Sequence, residues 1–479
     1  MDVLKFRYMI RVFYRKQLLA LLLSGWFLPA AAQKKYAIGV KDAVKMAITN
    51  TIELKNLRLD KEKQDAQNKE ITGLALPQIS GTAQAAHYLT LPLVLFPSQG
   101  RTDIYNVLSQ EGVRDGNGQA IQPKREFFVQ EFAFVQPWSM SAGVTLNQLL
   151  FQPEVFTGLL ARKTLLDFAD KNIKVAEDKT TEQVQKAYYQ VLIAKQQKDV
   201  LDKTIQRIEK LFADQQQLYK NGFIEKLDID KTTVSLNNIK STQTQLTNLI
   251  ELGYAALKFS TGVMQEDTLE LTDVLTDELI KNNILEEEID YNNRSEMQLL
   301  KTAEKLGKLD LKRYQLGYIP TLAFFYQFQQ QGQLNKNFTP ITGKNWFWFN
   351  SNLIGLSLNV PIFDGLQKKY KIDQAKISLQ KTRNTQEQFR RGADLEHHSS
   401  RINLKNALLN MDMQKKNLEL AEQVYQTTKK KYEQGLGTTF EVLQADTELQ
   451  RAQGSYFDAL YNAVVAKINF QKAIGKLNN

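Results

Sequence analysis

Between Trp138 and Leu146 the even positions Trp138, Met140, Ala142, Val144 and Leu146 are apolar, whereas Ser139, Ser141, Gly143, Thr145 and Asn147 are small or polar. Period two assigns each set to one face of a strand. The pattern returns as Ile354, Leu356, Leu358 and Val360 alternating with Gly355, Ser357 and Asn359. Two further alternating runs follow prolines. After Pro77, Gln78, Ser80, Thr82 and Gln84 alternate with Ile79, Gly81, Ala83 and Ala85; after Pro320, Leu322, Phe324, Tyr326 and Phe328 alternate with Ala323, Phe325, Gln327 and Gln329. These runs predict strands over 77–91, 132–151, 320–331 and 346–363.

The rest of the pattern is helical. From Pro153 to Gly222 there is little besides helix-forming and charged residues, roughly 100 Å of helix at 1.5 Å per residue. Helices are predicted over 40–73, 153–221 and 224–259, and again over 285–317, 365–434 and 438–474. Val184, Val191, Ile205 and Phe212 fall on one seven-residue series, interrupted by Lys198, with Ala187, Ala194, Leu201 and Ile208 on its companion. Leu404, Ala407, Met411, Leu418, Ala421 and Tyr425 form the counterpart in the second half. Such narrow seams are the spacing of coiled-coil packing. A soluble half-buried sheet and an ordinary soluble coiled coil remain open as readings of each pattern taken alone.

The chain is written twice. Asn50, Glu53 and Pro77 recur 243 residues later as Asn293, Glu296 and Pro320, while Tyr219, Gly222 and Gly262 recur 213 residues later as Tyr432, Gly435 and Gly475. The shrinking offset places extra residues between the two strands of the first copy. There, about Leu91 to Glu131, lie Pro92, Pro97, Gly100, Gly112, Gly116, Gly118 and Pro123, a turn-rich composition read as a loop; the second connection, about Gly332 to Asn345, is short. The organisation expected is a signal segment 1–32, a first repeat 33–262, a linker 263–292 and a second repeat 293–479.

Lys5, Arg7, Arg11, Arg15 and Lys16, an apolar run from Leu18 to Leu28, and Ala30-Ala31-Ala32 before Gln33 have the three-part layout of a secretory signal peptide. Without it the formal charge of +10 falls to a small excess, which gives no argument for nucleic acid. Cysteine is absent, excluding disulfides, thiolate metal sites and cysteine nucleophiles. No later run approaches 18 apolar residues, so a membrane-embedded form has to be a closed barrel. Apolar–polar alternation over roughly ten residues suits an outer-membrane barrel strand, and Trp346-Phe347-Trp348-Phe349 suits its aromatic girdle. Four strands cannot close a barrel, since the smallest have about 8; the chain is expected to oligomerise. His87, His397 and His398 are the only histidines and show no metal-ligand spacing, and no P-loop, nucleophile elbow or dinucleotide fingerprint is present. The reading is therefore not an enzyme, with no cofactor and no metal.

Over essentially its whole length beyond the signal segment the chain resembles the TolC family of outer-membrane efflux proteins. The resemblance is carried by Tyr219-Lys-Asn-Gly222 followed by Leu227-Asp228, by Tyr432-Glu-Gln-Gly435 followed by Phe440-Glu441-Val442-Leu443, by Asn293-Arg294-Ser295-Glu296, and by Pro77 and Pro320. It implies an α+β membrane protein: a homotrimer whose chains each give four strands to a twelve-stranded β-barrel, continued by a long periplasmic α-helical coiled-coil barrel with a mixed equatorial domain. It also implies a periplasmic adaptor protein and an inner-membrane transporter as partners, and outer-membrane lipid around the barrel. The acidic run Glu286-Glu287-Glu288 in the equatorial segment reads as solvated surface.

The resemblance further places the adaptor-docking tip turns at Asn221, Gly222, Phe223, Gln434, Gly435, Leu436 and Gly437. It places a periplasmic gate at Asp228, Tyr432, Glu441 and Gln444, with a hydrogen bond expected from Tyr432 to Asp228. Glu441 has the alternative of a helix N-terminal acid stabilised by the macrodipole. Gln444 stands where the family pattern has a second carboxylate, and Gly437 where it often has a basic residue. The function implied is a passive exit duct for small molecules or polypeptides in a tripartite efflux or type I secretion system. An exported structural or adhesive coiled-coil protein is the alternative.

Overall fold

The computed structural model describes residues 34–98, 100–122, 128–276, 280–281, 287–335, 341 and 344–477. The expected signal segment 1–32 and Glu286 lie outside the described residues. In chain order the elements are β1 (Lys35–Ile38), α1 (Val40–Asn50), α2 (Ile52–Leu74), β2 (Gln78–His87), β3 (Leu93–Ser98), α3 (Gly100–Gln110), β4 (Phe128–Ala133), β5 (Trp138–Phe151), α4 (Pro153–Lys220), α5 (Lys226–Thr261), β6 (Thr268–Leu271), α6 (Ser295–Leu316), β7 (Thr321–Leu334), β8 (Phe347–Asn359), α7 (Gln367–Glu433) and α8 (Thr439–Ala473). Two compact units result: one of Glu62–Asp167 and Thr302–Arg383, the other of the described parts of Met1–Lys61, Phe168–Lys301 and Asn384–Asn479.

The first unit contains an antiparallel sheet in the order β2-β5-β7-β8. Its register aligns Ile79 with Leu146, Leu146 with Tyr326, and Tyr326 with Ile354. Opposed residues share a face, so the apolar sets of all four strands fall on one side. The other side receives Ser80, Thr145 and Gln327, together with Gln329 and Ser351, and with Phe325, Leu353 and Phe349 among them. This is the two-faced sheet that the alternation predicts. The strands at its margins, β2 and β8, are exposed along almost their whole length.

Two strand expectations change. The run read as one strand over 132–151 is two, because β4 ends at Ala133 and β5 starts after Pro137, which has no N–H to continue the ladder. The Pro137 carbonyl instead accepts from Tyr88 N–H at 2.8 Å, so β2 stops at His87 rather than reaching 91. The insert read as a loop carries a second hairpin, β3 paired antiparallel with β4, and the helix α3; Pro123 lies outside the described residues.

In the second unit β1 pairs in parallel with β6. Their Ile38, Leu269 and Leu271 are buried together with Ala43 and Ala47 of α1, Val184, Tyr188 and Val191 of α4, and Leu246, Ile250 and Leu257 of α5. Tyr188 Oη donates to the Ile38 carbonyl at 3.1 Å and accepts from Asp273 N–H at 3.3 Å, which joins helix and strands. Leu404 and Met411 of α7 are buried against α8 residues, among them Leu460, Val464 and Phe470. The heptad series of both copies thus turn inward: Val184, Val191, Ala194, Ile205, Ile208, Leu404, Met411 and Tyr425 are buried and the remaining members partly so.

The run read as one helix over 40–73 is divided at Thr51, which adopts φ −58°, ψ 130°. Its hydroxyl hydrogen-bonds the carbonyls of Ala47 (2.6 Å) and Ser260 (3.1 Å), and Asn50 Nδ2 reaches the Thr261 carbonyl at 3.4 Å. The helix expected from 285 begins only at Ser295. Just before it, buried Arg294 bonds Glu296, Glu396 (3.0 Å) and the Ala473 carbonyl. Gly262 and Gly475, both at positive φ, close the matching helices α5 and α8 against Asn50 and Asn293.

Candidate functional site

α4 and α7 each end in the same turn. Phe223 N–H bonds the Leu218 carbonyl and Gly222 N–H the Tyr219 carbonyl; 213 residues on, Leu436 N–H bonds Lys431 and Gly435 N–H bonds Tyr432. This is the Schellman arrangement, which needs a left-handed residue at the glycine. Gly222 and Gly435 have φ of 79° and 74°. Asn221, Gly222, Phe223, Gln434, Gly435 and Leu436 are exposed and Gly437 half-buried. Phe223 is 76% and Leu436 77% exposed, an apolar side chain at each tip. Gly437 is tight: a Cβ there would meet Tyr432 N and Glu441 Oε2 at 3.2 Å.

The helices that follow start differently. Thr438 caps α8, accepting from Glu441 N–H, while the Glu441 carboxylate accepts from Thr438 N–H at 3.3 Å. Its position-equivalent Glu225 caps α5 without a side-chain bond. Glu441 is therefore an exposed member of a capping box, and Gln444 lies exposed one turn further on. Leu227, Lys231, Val234, Phe440, Leu443 and Gln444 line a groove of about 740 Å³ between α5 and α8, with Lys231 Nζ 5.8 Å from the Phe440 ring centre.

The expected Tyr432–Asp228 hydrogen bond is not formed. Tyr432 packs against the apolar cluster of Tyr425, Val442, Ala445 and Leu449, which holds its Oη buried without a partner. Asp228 remains half-exposed in the first turn of α5.

Beside that cluster lies a polar group that motif reading missed. Asp446 is fully buried and accepts from Gln450. Arg207 Nη2 stands 3.7 Å from its Oδ1, with the guanidinium 5.0 Å above the Tyr425 ring. Burial pushes the Asp446 carboxyl above its ordinary range, against the Gln450 bond and the Arg207 charge. Gln215, also buried, donates to Thr439 Oγ1 at 3.4 Å. The signal was present in the spacing: Val442, Ala445, Asp446 and Leu449 stand at i, i+3, i+4 and i+7, so Asp446 occupies a core position of α8.

Among the described residues no cluster of three or more His, Asp and Glu is placed to hold a metal ion, and no helix is long and apolar enough to cross a membrane. What the arrangement offers is structural: a two-faced sheet and paired helical hairpins, written twice, with apolar tips. That defines the class, a duplicated strand-and-hairpin fold. It is the fold of the CusC structure, which superposes with a TM-score of 0.67 at 14% identity over 93% of this chain and 95% of that one. The outer membrane channel CmeC of Campylobacter jejuni gives 0.65 at 14% over 91% and 86%. Residues 301–476 match the family described as outer membrane efflux protein. The outer membrane protein TolC of Escherichia coli (strain K12) is 21% identical over 347 residues, 71% of this chain and 70% of that one. Over residues 301–476 the chain is thus similar in sequence to outer membrane efflux proteins, and over most of its length it shares the fold of these solved structures.

Proposed function

We propose that three copies form an exit duct across the outer membrane, each giving four strands to a twelve-stranded barrel and its helices to a periplasmic helical barrel. The duct serves a tripartite efflux or type I secretion system, passing small molecules or polypeptides delivered by an inner-membrane transporter through a periplasmic adaptor. The sheet carries this reading. Its four strands align one mainly apolar face and a second that carries Ser80, Thr145, Gln327, Gln329 and Ser351, as suits a barrel wall between lipid and water, yet leave both marginal strands unpaired, which only further copies can close. The exposed turns at Phe223 and Leu436 and the groove between α5 and α8 suit an adaptor's helical hairpin.

Asp228, Tyr432, Glu441 and Gln444 are assigned to the periplasmic gate. With Gln444 neutral, a trimer presents one carboxylate ring, at Glu441, and such rings favour cations. Reversal potentials in planar bilayers should show modest cation preference that Glu441→Gln abolishes; anion preference in the unaltered protein would sink the assignment. The architecture is tested by electron microscopy of the detergent-extracted particle. Threefold particles with a barrel are expected. Single chains or fibres would overturn the reading.

A further inference from the structure

Among its described residues the insert between β2 and β5 carries a hairpin and a helix but no buried core. Across 88–137 none of the described side chains is buried. Leu89 is 93% exposed, Leu95 62% and Phe134 64%. A lone two-stranded hairpin is marginal in water, and apolar exposure on this scale marks a contact surface. The exposure has a particular geometry. Leu93 opposes Ala133, Val94 opposes Phe132, and Pro97 opposes Val129. Successive side chains point to opposite faces, so Leu93, Leu95 and Val129 occupy one face of the ribbon, and Val94 and Phe132 the other. Both faces are apolar, and a cover on one side leaves the other wet.

We propose that each insert packs between the inserts of two other copies of this chain, forming an apolar collar at the outer mouth of the barrel. This rests on the trimeric reading above. A closed ring gives every member two neighbours, one against each face, which is what a two-faced ribbon requires. The ribbon also grows directly from β2, whose free edge is where the barrel passes to the next copy. It begins beyond the level at which His87 stacks on Trp138 at 3.9 Å; aromatic residues sit at the membrane boundary, so hydrocarbon is not its cover. From 88 to 137 the sequence has four basic residues, Arg101, Arg114, Lys124 and Arg125, against five acidic ones, Asp103, Glu111, Asp115, Glu126 and Glu131. The insert is thus close to neutral. It does not repel its own copies, and it offers no excess positive charge to anionic lipid headgroups. The second repeat has no equivalent, since β7 and β8 are joined by the short segment 335–346, so a trimer has one such ribbon per chain.

The absence of cysteine makes the test clean. The full-length protein in detergent, carrying Val94→Cys and Val129→Cys on opposite faces of the ribbon, is treated with a short bismaleimide. Native mass spectrometry records the oligomer in parallel. The double variant should give mostly covalent trimers, and the Val94→Cys single variant at least fivefold less. A native trimer whose double variant yields only monomer on denaturing gels overturns the collar and leaves the duct intact. Absence of a native trimer overturns the duct reading and the collar with it. If maleimide access to Cys at 129 is lost only when lipopolysaccharide is added, the surface is a lipid contact and the collar is again refuted. A variant with 89–136 replaced by a short Gly-Ser turn should remain trimeric and conduct more in planar bilayers; unchanged conductance counts against a collar at the mouth.

Discussion

At Gly222 and at Gly435 the chain makes the same pair of backbone hydrogen bonds, yet the helix after the first starts from an uncapped Glu225 and the helix after the second from the Thr438–Glu441 box. The same divergence runs through the other end of each hairpin. Thr51 in the first copy binds two carbonyls through a hydroxyl, whereas the equivalent Arg294 carries a buried charge held by two carboxylates. Phe212 corresponds to Tyr425, and Thr233 to the buried Asp446. At the tip turns the backbone geometry was kept in both copies, while the buried charges Arg294 and Asp446 lie in the second. The second hairpin is therefore the one whose stability depends on charge.

The largest difference between the two copies is expected at the hairpin base. Arg294→Ala leaves Glu296 and Glu396, 30% and 37% exposed, without their shared partner and should cost about 3 kcal/mol, the low end for breaking a buried ion pair. Thr51→Val should cost about 1 kcal/mol, as for an ordinary hydrogen bond. Thermal unfolding in detergent compares them, and equal losses would end the idea that the copies differ.

The closing glycines come next. Both have positive φ, but a Cβ at Gly262 would lie 2.5 Å from Asn50 Cβ, against 3.3 Å from Asn293 at Gly475. Gly262→Ala should lose about 3 kcal/mol, combining left-handed strain with overpacking, and Gly475→Ala about 1 to 2 kcal/mol from strain alone. Here the first copy is the more sensitive, so the same measurement must reverse the ranking. Smaller still, Thr438→Ala should cost about 1 kcal/mol and Glu225→Ala almost nothing, read as amide exchange in the first turns of α8 and α5.

The smallest effect is a pH dependence of opposite sign at the two ends of α8. Glu296 is held below its ordinary value by Arg294, against the opposing push of burial, and Glu182 by Lys186 and Lys472 in the same way. Stability from these pairs is full above the ordinary carboxylate pKa and is lost as pH falls through the depressed values. Asp446 is shifted upward by burial, so its penalty is full above the raised value and fades as pH falls toward the ordinary aspartate range. Between neutral pH and pH 4, exchange protection near Asp446 should rise relative to Asp446→Asn while protection near Glu296 does not. Parallel trends in both variants would remove Asp446 from the account.

The strands and their faces were legible because period two survives in a one-residue-thick wall, and the register then aligned the four alternations without exception among Ile79, Leu146, Tyr326 and Ile354. Long helices and tip glycines were legible for similar local reasons. Thr51 was not, since its extended backbone accompanies bonds to Ser260 and Asn50's bond to Thr261, far away in sequence. The insert's hairpin was hidden because Leu93, Val94 and Leu95 are apolar on both faces and show no alternation. The expected Tyr432–Asp228 bond is absent because packing against Tyr425 and Leu449, rather than the hydroxyl, decides where Tyr432 points.

The unpaired β2 and β8 also bear on how the protein is made. A lone chain carries two reactive sheet margins and a wall with lipid-type residues on display, so it has no stable solitary state to wait in. On the trimeric reading proposed above, the native form is reached by mass action, and at low abundance each margin remains open to any passing strand. Supply rate and chaperoning of the newly exported chain therefore govern yield, and halving its concentration should cut assembled product by more than half.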